Sequence, residues 1–228
     1  MEAIILAGGF GTRLAQVVKD VPKPMAEVAG KPFLVYIVED LITQGVDRIV
    51  MAVCYKKECI MDFFGSNYHG AEIAYSVEDT PLFTGGAIKK ALEQCREERV
   101  LIINGDTFFS VDLQKMRQFS LERGETVAIA VKEMVDFDRY GEVELDSTQK
   151  VVAFYEKAPC DRGWINGGIY DLKADCLRDY PTKFSLEQEC FPKLLQAGKI
   201  AAFPSAGFFI DIGIPEDYDR AQTLFEGK

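Results

Sequence analysis

The first seven residues already commit the chain to a layered α/β fold. Ala3-Ile4-Ile5-Leu6-Ala7 is an apolar run of strand length that stops at once at Gly8-Gly9-Phe10-Gly11-Thr12-Arg13-Leu14. A continuous apolar run of this length, cut off by glycines, reads as a buried strand feeding a tight loop. Glycines there let backbone N–H groups approach a ligand with no Cβ in the way. Thr12 and Arg13 add a hydroxyl donor and a planar cationic fork suited to phosphate oxygens. The loop therefore reads as a phosphate cradle at the first strand–helix turn; a glycine turn that only reverses the chain is the plain alternative.

Two common phosphate loops are excluded. A Walker loop closes on Gly-Lys-Ser/Thr, which is absent here. A dinucleotide fingerprint starting at Gly9 would need glycine where Leu14 stands, so a dinucleotide-dependent oxidoreductase is disfavoured.

The next marked segment is Val21-Pro22-Lys23-Pro24-Met25. Proline on both sides restrains the backbone, so Lys23 is presented from a stiff segment. Gly-Gly-x-Gly-Thr-Arg-Leu followed by Pro-Lys-Pro at this separation resembles the sugar-1-phosphate nucleotidyltransferases, which join a sugar phosphate to a nucleotide and release pyrophosphate. The resemblance spans essentially the whole chain and implies a Rossmann-like, three-layer α/β fold with a mixed, mainly parallel central sheet and a small additional sheet.

Composition agrees. At 228 residues and 48% hydrophobic content the chain can fill the core of one domain. A formal charge of −10 argues against a nucleic-acid binder. Six cysteines lack any Cys-x-x-Cys pair, and one histidine makes a zinc site unexpected. Free thiols in a reducing cytoplasm are the plain reading. The N-terminus reads as neither signal peptide nor membrane anchor, so no membrane partner is expected. A homo-oligomer stays open.

Strands are expected at 2–7, 48–54, 73–77 and 100–103, alternating with helices at 33–44, 57–64 and 86–96, the pattern of a parallel sheet covered on both faces. After about residue 126 the pattern changes to strands at 127–131, 142–145, 151–155, 168–170 and 200–203 with few helices between them. The expected organisation is one domain over 1–228, with a nucleotide-binding half (1–125) and a sugar-phosphate-binding half (126–228).

Ligands in such sheets bind at the carboxyl ends of strands. Asn104-Gly105-Asp106 follows one apolar strand, and Asp211-Ile212-Gly213 follows Phe208-Phe209-Ile210. Two strand-end carboxylates make a magnesium pair if the fold joins them, because Mg²⁺ takes oxygen ligands; a turn or helix cap is the plain alternative. The resemblance implies that Asp106 and Asp211 hold the catalytic Mg²⁺. It also implies that Glu156 contacts sugar hydroxyls, that Lys157 holds the sugar phosphate, and that Gly141, Asn166 and Gly167 complete the acceptor site. Arg13, Lys23 and Asp106 are the expected catalytic residues. The expected nucleotide-binding set is Leu6, Ala7, Gly8, Gly9, Gly11, Thr12, Arg13, Lys23, Glu78, Thr84, Gly85, Asn104, Gly105 and Asp106.

One departure stands out. Family members commonly read Pro-Leu-Gly-Thr ahead of a helix, whereas this chain has Pro81-Leu82-Phe83-Thr84-Gly85-Gly86. The nearest resemblance is to the short group that activates heptose or mannose 1-phosphate with GTP, so the expected partners are a nucleoside triphosphate and a sugar 1-phosphate, with D-glycero-α-D-manno-heptose 1-phosphate favoured. Uridylyl transfer to an amino-sugar phosphate and a non-catalytic, nucleotide-sugar-binding regulatory subunit remain as alternatives.

Overall fold

The computed structural model describes residues 1–9, 11, 14, 18 and 20–227. Through the first half strands and helices alternate: β1 (Glu2–Leu6), β2 (Glu27–Val28), β3 (Lys31–Pro32), α1 (Phe33–Thr43), β4 (Arg48–Val53), α2 (Lys57–Phe64), β5 (Asn67–Tyr68), β6 (Ala71–Val77), α3 (Phe83–Leu92) and β7 (Arg99–Asn104). Then come β8 (Thr107–Phe109), α4 (Leu113–Arg123), β9 (Val127–Phe137), β10 (Gly141–Leu145), β11 (Val151–Lys157) and β12 (Cys160–Lys173). The chain finishes with α5 (Phe191–Gln196), β13 (Ile200–Pro204), β14 (Phe209–Asp211) and α6 (Pro215–Leu224).

Ten strands form one sheet in the order β11-β10-β12-β7-β1-β4-β6-β5, with β9 pairing β12 and β13. The centre, β7-β1-β4-β6, is parallel; β12 runs antiparallel to β7, β9 and β10. Two small antiparallel sheets, β8 with β14 and β2 with β3, lie outside it. The apolar runs explain this layering through their period of two. Ala3 and Ile5 belong to one buried cluster, shared with α1 and with Met116 of α4. Ile4 points to the other, shared with Ile88 of α3 and Phe191 of α5. Burial on both faces is what removes the polar alternation from these strands.

Two expectations need correction, and one helix comes without any. The helix expected at 86–96 spans Phe83–Leu92: it starts three residues earlier, and i→i−3 bonds from Glu93 and Gln94 tighten and close its end. The strand expected at 168–170 is the middle of a 14-residue strand; its glycines interrupt the pattern without ending the ladder. The polar helix α4 was not expected. Only Leu113, Met116 and Ser120 of it are buried, while Asp112 caps its start and Gly124 ends it. No helix among the described residues is long and apolar enough to cross a membrane.

Candidate active site

Leu6, Ala52 and Asn104, at or next to the ends of β1, β4 and β7, line a cleft of about 710 Å³. Here β1 has β4 on one side and β7 on the other, the switch point at which open α/β sheets take ligands. Gly8, Gly9 and Gly11 form one part of its lining, and Glu78, Pro81, Phe83 and Thr84 another. Lys23, Asp106, Lys183 and Gly213 also face it.

Lys23 begins a short 3-10 helix, Lys23–Met25, braced by Pro22 in extended backbone and Pro24 in its first turn. That stiffness carries an ammonium inward: the Lys23 side chain is only 10% exposed. Its Nζ donates to Asp106 Oδ2 at 2.6 Å and lies 3.7 Å from Asp211 Oδ1. Gly11 makes the approach possible. Its φ is +58°, and a Cβ there would fall 2.7 Å from Lys23 Cβ.

The two carboxylates, 105 residues apart in sequence (211 − 106), are joined by the small β8–β14 sheet. Asp211 pairs with Thr107, and the Ile212 N–H donates to the Asp106 carbonyl at 3.1 Å. Burial and the neighbouring Asp106 push the Asp211 carboxyl above its ordinary value, opposed by Lys23. Its Oδ1 is buried and accepts no hydrogen bond among the described residues. Two converging carboxylates, one with a buried oxygen that accepts no hydrogen bond and faces only the Lys23 ammonium, form a donor set that fits a divalent cation of the Mg²⁺ type.

Glu78 closes another side. It is buried, its Oε2 accepts the Leu82 N–H at 2.9 Å, and burial raises its pKa. It thereby holds the loop leading into α3.

With this geometry in hand, comparison with known proteins gives the family. The profile of the nucleotidyl transferase family matches residues 2–227. This chain belongs to that family. The nucleotidyl transferase is 47% identical over 225 residues to a D-glycero-α-D-manno-heptose 1-phosphate guanylyltransferase of Aneurinibacillus thermoaerophilus, covering 97% of each chain. It is 46% identical over 223 residues to the protein of that name from Campylobacter jejuni, covering 96% of this chain and 97% of the relative. Among solved structures, HddC from Yersinia pseudotuberculosis complexed with GMP-PN superimposes with a TM-score of 0.89 at 40% identity, covering 98% of this chain and 99% of that one.

The other expected residues of this transferase fall into distinct places. Thr12 and Arg13 lie outside the described residues. Ala7 and Gly105 sit beneath the cleft: the Ala7 N–H donates to Ala52 and the Gly105 N–H to Leu6. Gly85 is packed against the Phe184 ring. The Thr84 hydroxyl, although it lines the cleft, donates to Glu187 at 2.5 Å and accepts from the Leu186 N–H.

None of the expected acceptor-side residues lines the 710 Å³ cleft. Gly141 opens β10 opposite Lys157, at the end of the edge strand β11, where Glu156 and Lys157 are both exposed. Asn166 and Gly167 lie in a bulge of β12, where four steps along that strand match two along β9. Asn166 spends its amide on the bulge itself, accepting from Gly168 N–H and donating to the Tyr170 hydroxyl. The bulge abuts the cleft through Gly168, whose position would put a Cβ 2.7 Å from Asn104 Nδ2.

Sequence reasoning missed Lys183, which reaches the cleft from the loop before the π-helical turn Leu186–Cys190; no local pattern marks it. It also missed the Lys23–Asp106 contact, which no spacing rule predicts across 83 residues.

Proposed function

We propose that this nucleotidyl transferase moves a guanylyl group from GTP to D-glycero-α-D-manno-heptose 1-phosphate, releasing pyrophosphate. The observation that carries this reading is the near full-length similarity to two guanylyltransferases for that sugar phosphate. The HddC complex with GMP-PN supports a guanine nucleotide.

In this reading the cleft holds the nucleoside triphosphate, and an oxygen of the sugar phosphate attacks the α-phosphorus in line with the leaving pyrophosphate. Such transfers depend on positioning and on neutralising charge, with little covalent work for the protein. Lys23, fixed by its prolines and desolvated, neutralises the transferring phosphoryl group. Arg13 holds the leaving pyrophosphate. Glu156 contacts sugar hydroxyls and Lys157 holds the attacking phosphate, with Gly141, Asn166 and Gly167 shaping that side. Asp106 and Asp211 would hold Mg²⁺, which when bound supplies charge neutralisation to the phosphates. Formation of nucleotide sugar for a surface glycan belongs to the same proposal, as does a cytoplasmic location, which the six free cysteines support.

A pyrophosphate-release assay crossing the common nucleoside triphosphates with a panel of sugar 1-phosphates tests the reading. Release with GTP and the heptose phosphate is the expected outcome. Release with mannose 1-phosphate alone, or with UTP and not GTP, would move the assignment to those substrates.

A further inference from the structure

Phe83 combines three properties that rarely meet in one residue. Its φ is +61°, in the left-handed region where a Cβ crowds the backbone and a bulky residue is an outlier. The residue is 58% exposed, so burial does not offset that strain. It faces the cleft, with Lys183, another cleft residue, holding its ammonium 4.8 Å from the ring centroid.

The backbone around Phe83 is clamped from both sides. Before it, the Leu82 N–H donates to Glu78 and the Leu82 carbonyl accepts from Phe184 N–H. After it, Thr84 bonds Glu187 and Leu186, and the Gly86 N–H donates to the Phe184 carbonyl. Strained residues persist only where their surroundings over-determine them, and they gather at ligand sites. An aromatic ring carried on a strained backbone at a binding cleft, more than half exposed and with only the Lys183 ammonium over it, is a surface prepared for a flat, apolar face.

We infer that Phe83 is the stacking wall for the nucleobase of the bound triphosphate, with Lys183 polarised on the same ring. The inference rests on the cleft being the triphosphate site. Phosphates are served by the ammonium of Lys23 and the glycine-rich loop; the exposed ring matches the base, whose π-face stacks on aromatic side chains. A purine covers more of such a ring than a pyrimidine does, so Phe83 adds to a preference for GTP over UTP.

Titration calorimetry with α,β-methylene analogues of GTP and UTP, on wild type, Phe83→Tyr, Phe83→Ala and Phe83→Gly, decides this. Alanine and glycine should each weaken the better-bound analogue about tenfold, with tyrosine close to wild type. Both small residues lose the ring, so their difference in melting reads the backbone alone. Glycine should melt about 2–4 °C above alanine, the reverse of their usual order. Undiminished binding by the alanine and glycine variants would overturn the stacking role. Should wild type prefer the uridine analogue, the guanylyl reading falls, and Phe83 is judged by the loss with that analogue. Binding of neither analogue by wild type would remove both.

Discussion

Lys23 and Asp106, 83 residues apart in the chain, meet at 2.6 Å beside the cleft, and the same ammonium faces Asp211. The pair brings together a proline-braced turn after β1 and the turn that follows β7. Its charge is shared among three groups that are all partly or largely withdrawn from water, where electrostatic interactions are strong. Lys23→Met, which keeps the stem and removes the charge, is expected to lower kcat by about 100-fold or more. Asp106→Asn should nearly abolish turnover. Steady-state kinetics of the purified variants, with circular dichroism to check the fold, tests both; wild-type rates would remove the residue concerned from the chemistry.

Asp211 gives a pH prediction with a definite sign. Its carboxyl is raised by burial and by Asp106 and Asp217, against the opposing Lys23. Below the ordinary carboxylate range both folded and unfolded forms are protonated and nothing is lost. As pH rises toward the raised value the unfolded chain gives up this proton first, so the folded state loses stability, and the full cost persists above it. In a chelating buffer at pH 7, Asp211→Asn should therefore melt above wild type, with the difference shrinking as pH falls through the ordinary carboxylate range. Added Mg²⁺ should raise the melting point of wild type and leave the variant unmoved. Melting curves across pH, with and without Mg²⁺, measure all of this; a variant less stable at pH 7 would contradict it.

Gly11→Ala meets both a left-handed backbone and Lys23 Cβ at 2.7 Å. We expect about 1–2 kcal/mol of lost stability together with a loss of kcat, because Lys23 must move. Gly9→Ala is the matched control for stability, since a Cβ there meets nothing within 4 Å. Chemical denaturation of the two variants should separate them clearly.

Asp171 is fully buried on β12 and is shared by Arg99 at 2.9 Å and Arg117 at 2.7 Å. Asp171→Asn removes the anion from two enclosed guanidinium groups, and breaking such a cluster costs about 3–5 kcal/mol. Urea unfolding should show that loss, while the folded fraction keeps its turnover because no cleft residue is touched.

The strands of the first half were legible because they are short apolar runs bounded by turn residues: Val100-Leu101-Ile102-Ile103, closed by Asn104-Gly105-Asp106, is too short for a buried helix and reads as a strand buried on both faces. The cap Asp112 and stop Gly124 of α4 were equally readable, yet the helix buries so little that periodicity is silent there. β12 was obscured because its glycines sit in a bulge, where local pattern and ladder part company. In the site, residue types could be nominated from the glycine loop, the Pro-Lys-Pro segment and the strand-end aspartates. Their meeting could not, since it depends on the β8–β14 pairing of segments about a hundred residues apart. The left-handed backbone of Phe83 is likewise set by bonds to residues 184–187, which nothing near Phe83 in the sequence announces.

β12 ties β9 on one edge to β7 and then β10 on the other. A single 14-residue strand therefore joins β7 of the first half to β9 and β10 of the second. Swinging one half against the other would mean unzipping that ladder midway, so the sheet itself resists a jaw-like closing. The cleft at the ends of β1, β4 and β7 therefore stands on a splinted floor.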